Sequence, residues 1–559
     1  MVGLEVTQVV QDLANSVPLV AEKPTVVRVY LDRPAPGVVT VRGELEVTAA
    51  GNGPILVPSI NTLDLDPAQN GKITDKRLKL QASLNFRLPS SVTVPGLCSL
   101  RTGAIRLADT GEQLDLVVTA KQTVEFREVP PLRIRLVSIR YQTGSPPREH
   151  EPSALDLSLI ESWLRRAYPV SQVVLTKITV AAAKPGPIND ASLVNVRLTA
   201  MRNADMASGG DALAHYFGLV ADSGGFMRGL ASVIPTQPDP SAVASGPTGP
   251  QGYPWDTDGS YGDWYTGHEL AHTFGRRHLG SGCGDTPNDP TYPFPAGQLC
   301  GPDERFVGFD IGDPPLGLPM TVYPGMKYHD VMCYCPFIWM SDHTYTRLLD
   351  RITAEAQPPA GPLAMASMDF APSETIVLEA VMTKWLNIVG RVNFTRRTGN
   401  IDVMQPLAGS NFPSGDEGRA RIELYDGEGQ LIETVPARVK FDACRDEVEE
   451  ETGIVDTFAP LSAETQRVAL RVFEEIVDSR EAPGARGPAG LAFAGGDNEK
   501  YTVQVSTDEG ATWQTIAVGA DTPEYDVRRR DFPNARRLRA RVIATDGFKS
   551  RLHREDEIA

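Results

Sequence analysis

Residues 265–279 read Tyr-Thr-Gly-His-Glu-Leu-Ala-His-Thr-Phe-Gly-Arg-Arg-His-Leu. Four positions separate His268 from His272, so on a helix both imidazoles leave one face a turn apart and can hold one metal ion. Glu269, next to the first histidine, is placed to reach a water on that metal rather than the metal itself, as a general base requires. Gly275 lets the chain turn sharply after the helix, which brings His278 back as a third ligand and leaves a fourth position for water. This is the donor set of a zinc hydrolase, His268, His272 and His278 being the ligands and Zn²⁺ the cofactor.

The full pattern, His268-Glu269-x-x-His272-x-x-Gly275-x-x-His278, is that of the metzincin metalloproteases, which the chain resembles. Downstream, Asp330-Val-Met-Cys-Tyr334 resembles the methionine turn of that family. The resemblance makes Met332 a packing residue beneath the histidines and Tyr334 a hydrogen-bond donor to the oxyanion. Only Gly267–His278 and Asp330–Tyr334 carry the likeness specifically. Together they imply a zinc-dependent endopeptidase acting on protein or peptide substrates. Two rivals stand beside it: an adhesion or scaffold protein whose metal domain has lost activity, and a zinc amidase acting on a non-peptide or glycan-linked substrate. The intact Glu269 weighs against the first, because a purely structural metal site has no use for a base.

Composition narrows the partners. The 559 residues carry a formal charge of −17, which repels a phosphate backbone and argues against nucleic acid. No apolar run is long enough to span a bilayer. A secreted location is expected, with any signal peptide already removed from this chain.

Four of the six cysteines, Cys283, Cys300, Cys333 and Cys335, fall between the third histidine and the end of the methionine turn. Four cysteines allow three pairings. The resemblance to secreted bacterial proteases, which usually have cysteines where Cys283 and Cys335 stand, implies Cys283 with Cys335 and Cys300 with Cys333. Free buried thiols or a second metal site are the alternatives.

Reading outward, residues 1–128 alternate as strands do, Val39, Val41, Leu45 and Val47 against Thr40, Arg42, Glu44 and Glu46, and predict a β-sandwich. Residues 129–361 change to an α/β (α+β) pattern. Strands are expected over 132–141, 173–183, 215–220 and 229–234, and helices over 159–167 and 193–201. A further helix is expected after Ser341-Asp342, with Tyr345, Leu348, Leu349 and Ile352 as its apolar stripe. By the metzincin resemblance this is the catalytic domain, with Gly225–Ile234 as the strand that pairs with substrate. Pro235–Gly262 reads as a surface loop and Gly280–His329 as a lid-like loop. Asp256-Thr-Asp258-Gly, or the carboxylates Asp285, Asp289, Asp303, Asp310 and Asp313, are candidate structural Ca²⁺ ligands. Strands return in residues 362–478, an immunoglobulin-like sandwich. In 479–559, Tyr501–Ser506, a turn at Asp508-Glu-Gly510 and Trp513 resemble an immunoglobulin- or fibronectin-like hairpin. The architecture expected is thus multidomain, a metzincin-like domain flanked by β-sandwiches that bind substrate or a cell surface.

Overall fold

A computed structural model describes residues 3–49, 53–115, 121–182, 186–223, 227–250, 253–285, 289–357, 384–409, 412–413, 415, 417–442, 450–483, 499–525, 527–532 and 535–558. The chain is multidomain and mostly β, built from several separate sheets. The α-helices among the described residues are α1 (Ile73–Arg77), α2 (Ala154–Ala167), α3 (Ala191–Met206), α4 (Gly262–Thr273) and α5 (Asp342–Glu355). No helix is long and apolar enough to cross a membrane. Two compact units share the chain. One comprises residues 1–133, 154–174 and 249–356, the other 134–153, 175–248 and 357–559. The segments between 129 and 361 are therefore divided between them.

The first unit begins with two sheets on one core. Gly3–Thr7, Val26–Tyr30 and Leu84–Arg87 form an antiparallel sheet, and Val39–Ala49 lies in a seven-stranded one beside Gly96–Leu107. The alternation read in the sequence explains the contact. Val41, Leu45 and Val47 turn inward to meet Val6, Val27, Val29 and Phe86, leaving Thr40 and Arg42 outside. Val26–Tyr30 is buried on both faces, because Val26 packs on Phe309 and Ile311 on the other side. Arg28 crosses that second interface with its guanidinium on the carbonyls of Arg77 and Lys79, both at 2.9 Å, so its charge is solvated by backbone. Val10–Gln11 completes a sheet with Val307–Asp310 and Thr321–Pro324. The Trp339 indole N–H donates to the Val9 carbonyl at 2.9 Å. The N-terminal sandwich is thus fastened to the segments carrying α2, α4 and α5.

Those contacts revise the reading of Gly280–His329. Its middle is a pair of strands laid against Val10–Gln11, some 300 residues away in sequence, and such pairing leaves no local signal.

In the second unit, Leu132–Thr143, His215–Ala221 and Val243–Thr248 lie side by side, parallel, with Ile134 opposite His215 and Tyr216 opposite Val243. Leu230–Ala231 closes the edge antiparallel to Val243–Thr248. The proposed substrate strand is therefore an edge strand as far as it is described, Gly225 lying outside the described residues. Val243–Thr248 corrects the expected surface loop over 235–262: it is a buried strand. Its small residues, Ala244, Ser245 and Gly246, suit a strand covered on both faces. Pro247 sits beyond the two residues that pair with Leu230–Ala231, where a missing N–H costs no ladder bond. Helix α3 covers this sheet, and Val194 and Leu198 rest on Gly218, where a Cβ would collide with both.

Lys384–Asn393 and Glu417–Tyr425 belong to two four-stranded sheets that face one core of Leu386, Ile388, Ile422, Leu424, Val468 and Leu470, a sandwich. The boundary expected at 361/362 lies outside the described residues. The one expected at 478/479 falls inside the strand Glu475–Glu481, which pairs with Arg467–Val472 and overrides the small-residue composition that follows. The described residues beyond it form one antiparallel sheet. Its strands are Lys500–Ser506, Gln514–Ala520, Leu538–Thr545 and Ser550–Ile558. The apolar face of that sheet, Val503, Val505, Ile516 and Leu538, shares a core with Val194 and Leu198 of α3.

Candidate metal centre

Helix α4 is seated before it presents any histidine. Gly267 has no side chain because the Trp163 indole of α2 occupies the place of a Cβ, and its carbonyl accepts from the buried Tyr168 hydroxyl at 2.7 Å. Asp156 of α2 accepts from Ser260 at 2.6 Å just ahead of α4. The helix ends at Phe274 with a paired cap. Gly275, at φ +80°, donates its N–H to the His272 carbonyl at 2.8 Å, and Arg276 donates to Ala271 at 2.9 Å. A left-handed residue here costs least as glycine. The reversal returns His278 to the face of α4 that carries His268 and His272.

The Nε2 atoms of His268, His272 and His278 lie 3.1–3.2 Å from one another, and all three residues are buried. Nδ1 of His268 donates to the Val331 carbonyl at 2.6 Å, and Nδ1 of His272 to the Arg276 carbonyl at 2.7 Å. A carbonyl only accepts, so these bonds fix the protonated nitrogen and leave Nε2 as a lone pair. Burial, and then His278 close by, hold His268 at a pKa of about 3 and His272 well below the ordinary histidine range, so both rings are neutral. Converging lone pairs of His268 and His272 cannot satisfy one another, whereas a cation can satisfy both together with His278. A tetrahedral zinc with Zn–N of about 2.0–2.1 Å needs nitrogens about 3.3 Å apart, so the donors fit that ion in kind, number and spacing. Among the described residues this is the one group of metal-ligating side chains brought together.

Glu269 is buried beside His268 on α4. Tyr334 is 40% exposed, its ring 4.9 Å from that of His278 and 5.8 Å from that of His268. It therefore sits over the triad while remaining open to solvent. Met332 is fully buried in the turn below, its N–H on the Asp330 carboxylate at 2.8 Å. The same carboxylate accepts from the N–H of Ser341 at 3.0 Å, and the Ser341 hydroxyl in turn caps α5 through Thr344 at 3.2 Å. The sequence reading gave Asp330 no role. One buried carboxylate anchors both the turn and the next helix.

Cys283 and Cys335 form a disulfide with Cα atoms 5.2 Å apart, tying the loop after His278 to the residue following Tyr334. The second expected pair does not form, and Cys300 and Cys333 are separate buried thiols. The Cys333 thiol donates to the Asp330 carbonyl at 3.0 Å inside the turn, while Cys300 fills the space beneath Gly325. Burial pushes the Cys300 thiol up to about 11 and Cys333 also upward, so neither is a ready thiolate. Cys444 lies outside the described residues.

The candidate calcium carboxylates that follow His278 are each engaged by groups of the fold. Asp285 accepts from the N–H groups of Gly280 and Ser281, Asp289 from Thr291 and His343, Asp310 from Arg166, and Asp313 from Ser162. Asp303 accepts from the Arg305 N–H. Asp256 accepts from the Trp264 indole at 3.0 Å and shares a hydrogen bond with the Asp258 carboxyl.

No family model matches the chain, and no curated protein matches it. Among solved structures, a calcium-binding mutant of Bacteroides uniformis beta-glucuronidase 2 is matched over 43% of this chain at 14% identity, with a TM-score of 0.14. The match spans 24% of that chain. At that score the likeness carries no argument about fold or chemistry.

Proposed function

We propose that the protein is a secreted zinc-dependent endopeptidase of the metzincin type. The observation that carries the reading is the convergence of three buried Nε2 atoms at 3.1–3.2 Å, two of them left unprotonated because the Nδ1–H behind each ring donates to a carbonyl, with Glu269 beside them. His268, His272 and His278 would hold the ion, which supplies Lewis acidity toward a water and a scissile carbonyl. Glu269 takes the proton released as water oxygen bonds to the carbonyl carbon, then hands it to the amine nitrogen as the C–N bond breaks. Tyr334, exposed above the triad, donates its hydroxyl to the carbonyl oxygen as that oxygen gains charge. Met332 and the Asp330 anchor keep the floor of the site rigid. The Cys283–Cys335 bond favours an oxidising, extracellular setting.

The test is incubation of the protein with denatured casein, and separately with glycan and cell-wall fragments, each with and without chelator. Chelator-sensitive cleavage of casein supports the endopeptidase. Hydrolysis of the fragments alone would move the site to an amidase, and no hydrolysis of anything by zinc-loaded protein would leave a scaffold.

A further inference from the structure

A cavity of about 270 Å³ opens in the second unit, bounded by α3, the strand Thr398–Ala408 and the sheet of residues 500–545. On one wall lies Arg197 of α3. Its guanidinium makes one hydrogen bond, from Nη1 to the Val518 carbonyl at 2.9 Å, and has no ion pair among the described residues. Gly519, at φ +66°, approaches it so closely that a Cβ would meet Nη1.

Counter-charge is near but committed. Asp402 accepts from Arg391 at 3.0 and 3.1 Å and from Asn400 at 2.9 Å, and Asp521 is paired with Lys500 at the rim. Arg480, also on the lining, is paired with Asp478 at 3.0 Å. Each of these cations and carboxylates cancels another, leaving Arg197 as the excess positive charge. Burial lowers its pKa in spite of Asp402 and Asp521. The remaining donors of the half-buried guanidinium face the cavity, where an oxyanion can take the place of water.

We propose that this cavity binds a small oxyanion, a carboxylate or a phosphate group, held through the planar fork of Arg197. Neither the metal centre nor peptide cleavage enters the argument, so the site stands or falls independently of them. The fork geometry suits two oxygens on one centre, which both groups present.

The test is calorimetric titration of the full chain with inorganic phosphate and with malonate, with chloride at matched ionic strength as the control. Saturable binding of phosphate or malonate is expected, and the two arms tell which group is preferred. Arg197→Gln removes the charge and the fork while staying polar and should weaken that binding about ten- to a hundredfold, the scale of a charge-assisted pair. Arg197→Lys, which keeps charge but loses the fork, should recover only part of it. Absence of binding to wild-type protein, an equal response to chloride, or unchanged affinity in Arg197→Gln would each overturn the assignment. Circular dichroism of each variant separates lost binding from lost fold.

Discussion

His268 donates Nδ1–H to the carbonyl of Val331 across 2.6 Å, so the first imidazole of the triad is aimed by the residue just before Met332. Orientation and tautomer of that ring are thereby set from a turn 63 residues away in sequence. Any change that loosens the turn should be felt at the histidine triad.

Gly267→Ala tests the seating of α4. The added methyl would enter the Trp163 indole, which is held between α2 and α4, so neither ring nor helix can yield cheaply. Overpacking of this kind should cost about 1–3 kcal/mol in urea unfolding. Shrinking the partner in the double variant Gly267→Ala with Trp163→Leu should recover part of the loss. Full additivity of the two substitutions would show that they do not meet.

Tyr334→Phe removes one hydroxyl and keeps the ring beside His278. If the phenol acts only as the carbonyl becomes tetrahedral, kcat should fall about ten- to a thousandfold with KM little changed. Zinc content is measured in the same preparation. A change confined to KM would place the hydroxyl in substrate binding instead.

Breaking the Cys283–Cys335 bond, by reduction or by Cys283→Ser with Cys335→Ser, opens a loop with a sequence separation of 52. Chain entropy alone puts the stability loss at about 4 kcal/mol. Because Cys335 follows Tyr334, kcat should fall as well. An unchanged unfolding midpoint would mean that the loop is held by its hydrogen bonds, such as Asp285 to Gly280 and Ser281.

Burial, reinforced by Asp258, raises the Asp256 carboxyl to a pKa of about 7. An unfolded aspartate titrates near 3.9, so this group favours the folded state fully below about pH 3.9 and loses that contribution as pH rises through about 7. Asp256→Asn retains an acceptor for the Trp264 indole and should flatten the fall in stability between pH 4 and pH 7, leaving the protein more stable at pH 8 than wild type. Urea midpoints at pH 5 and pH 8 decide it. A wild type no less stable at pH 8 in this comparison would remove Asp256 from the account.

What could be read from the sequence followed the reach of each signal. The spacing of His268, His272, Gly275 and His278 is local and helical, and the structure gathers those three histidines. The alternation through Val41, Leu45 and Val47 likewise declared one face of a sheet. Pairing between distant segments did not show, as with Val10–Gln11 against Val307–Asp310. Ala244-Ser-Gly-Pro247 has the composition of a loop and is held as a strand by its neighbours. Asp330 was visible only as a letter in a turn, since its bond to Met332 is local while Ser341 meets it only when the chain folds. Cys300 and Cys333 were close in sequence count but are directed into different packing.

The most direct test of the central claim is cleavage of denatured casein by wild-type and Glu269→Ala proteins, both shown by metal analysis to hold one zinc. The account predicts that the wild type cleaves, that chelation stops it and readded zinc restores it, and that Glu269→Ala keeps its zinc and fold while losing nearly all turnover. Equal cleavage by Glu269→Ala, or by wild-type protein stripped of zinc, would contradict it.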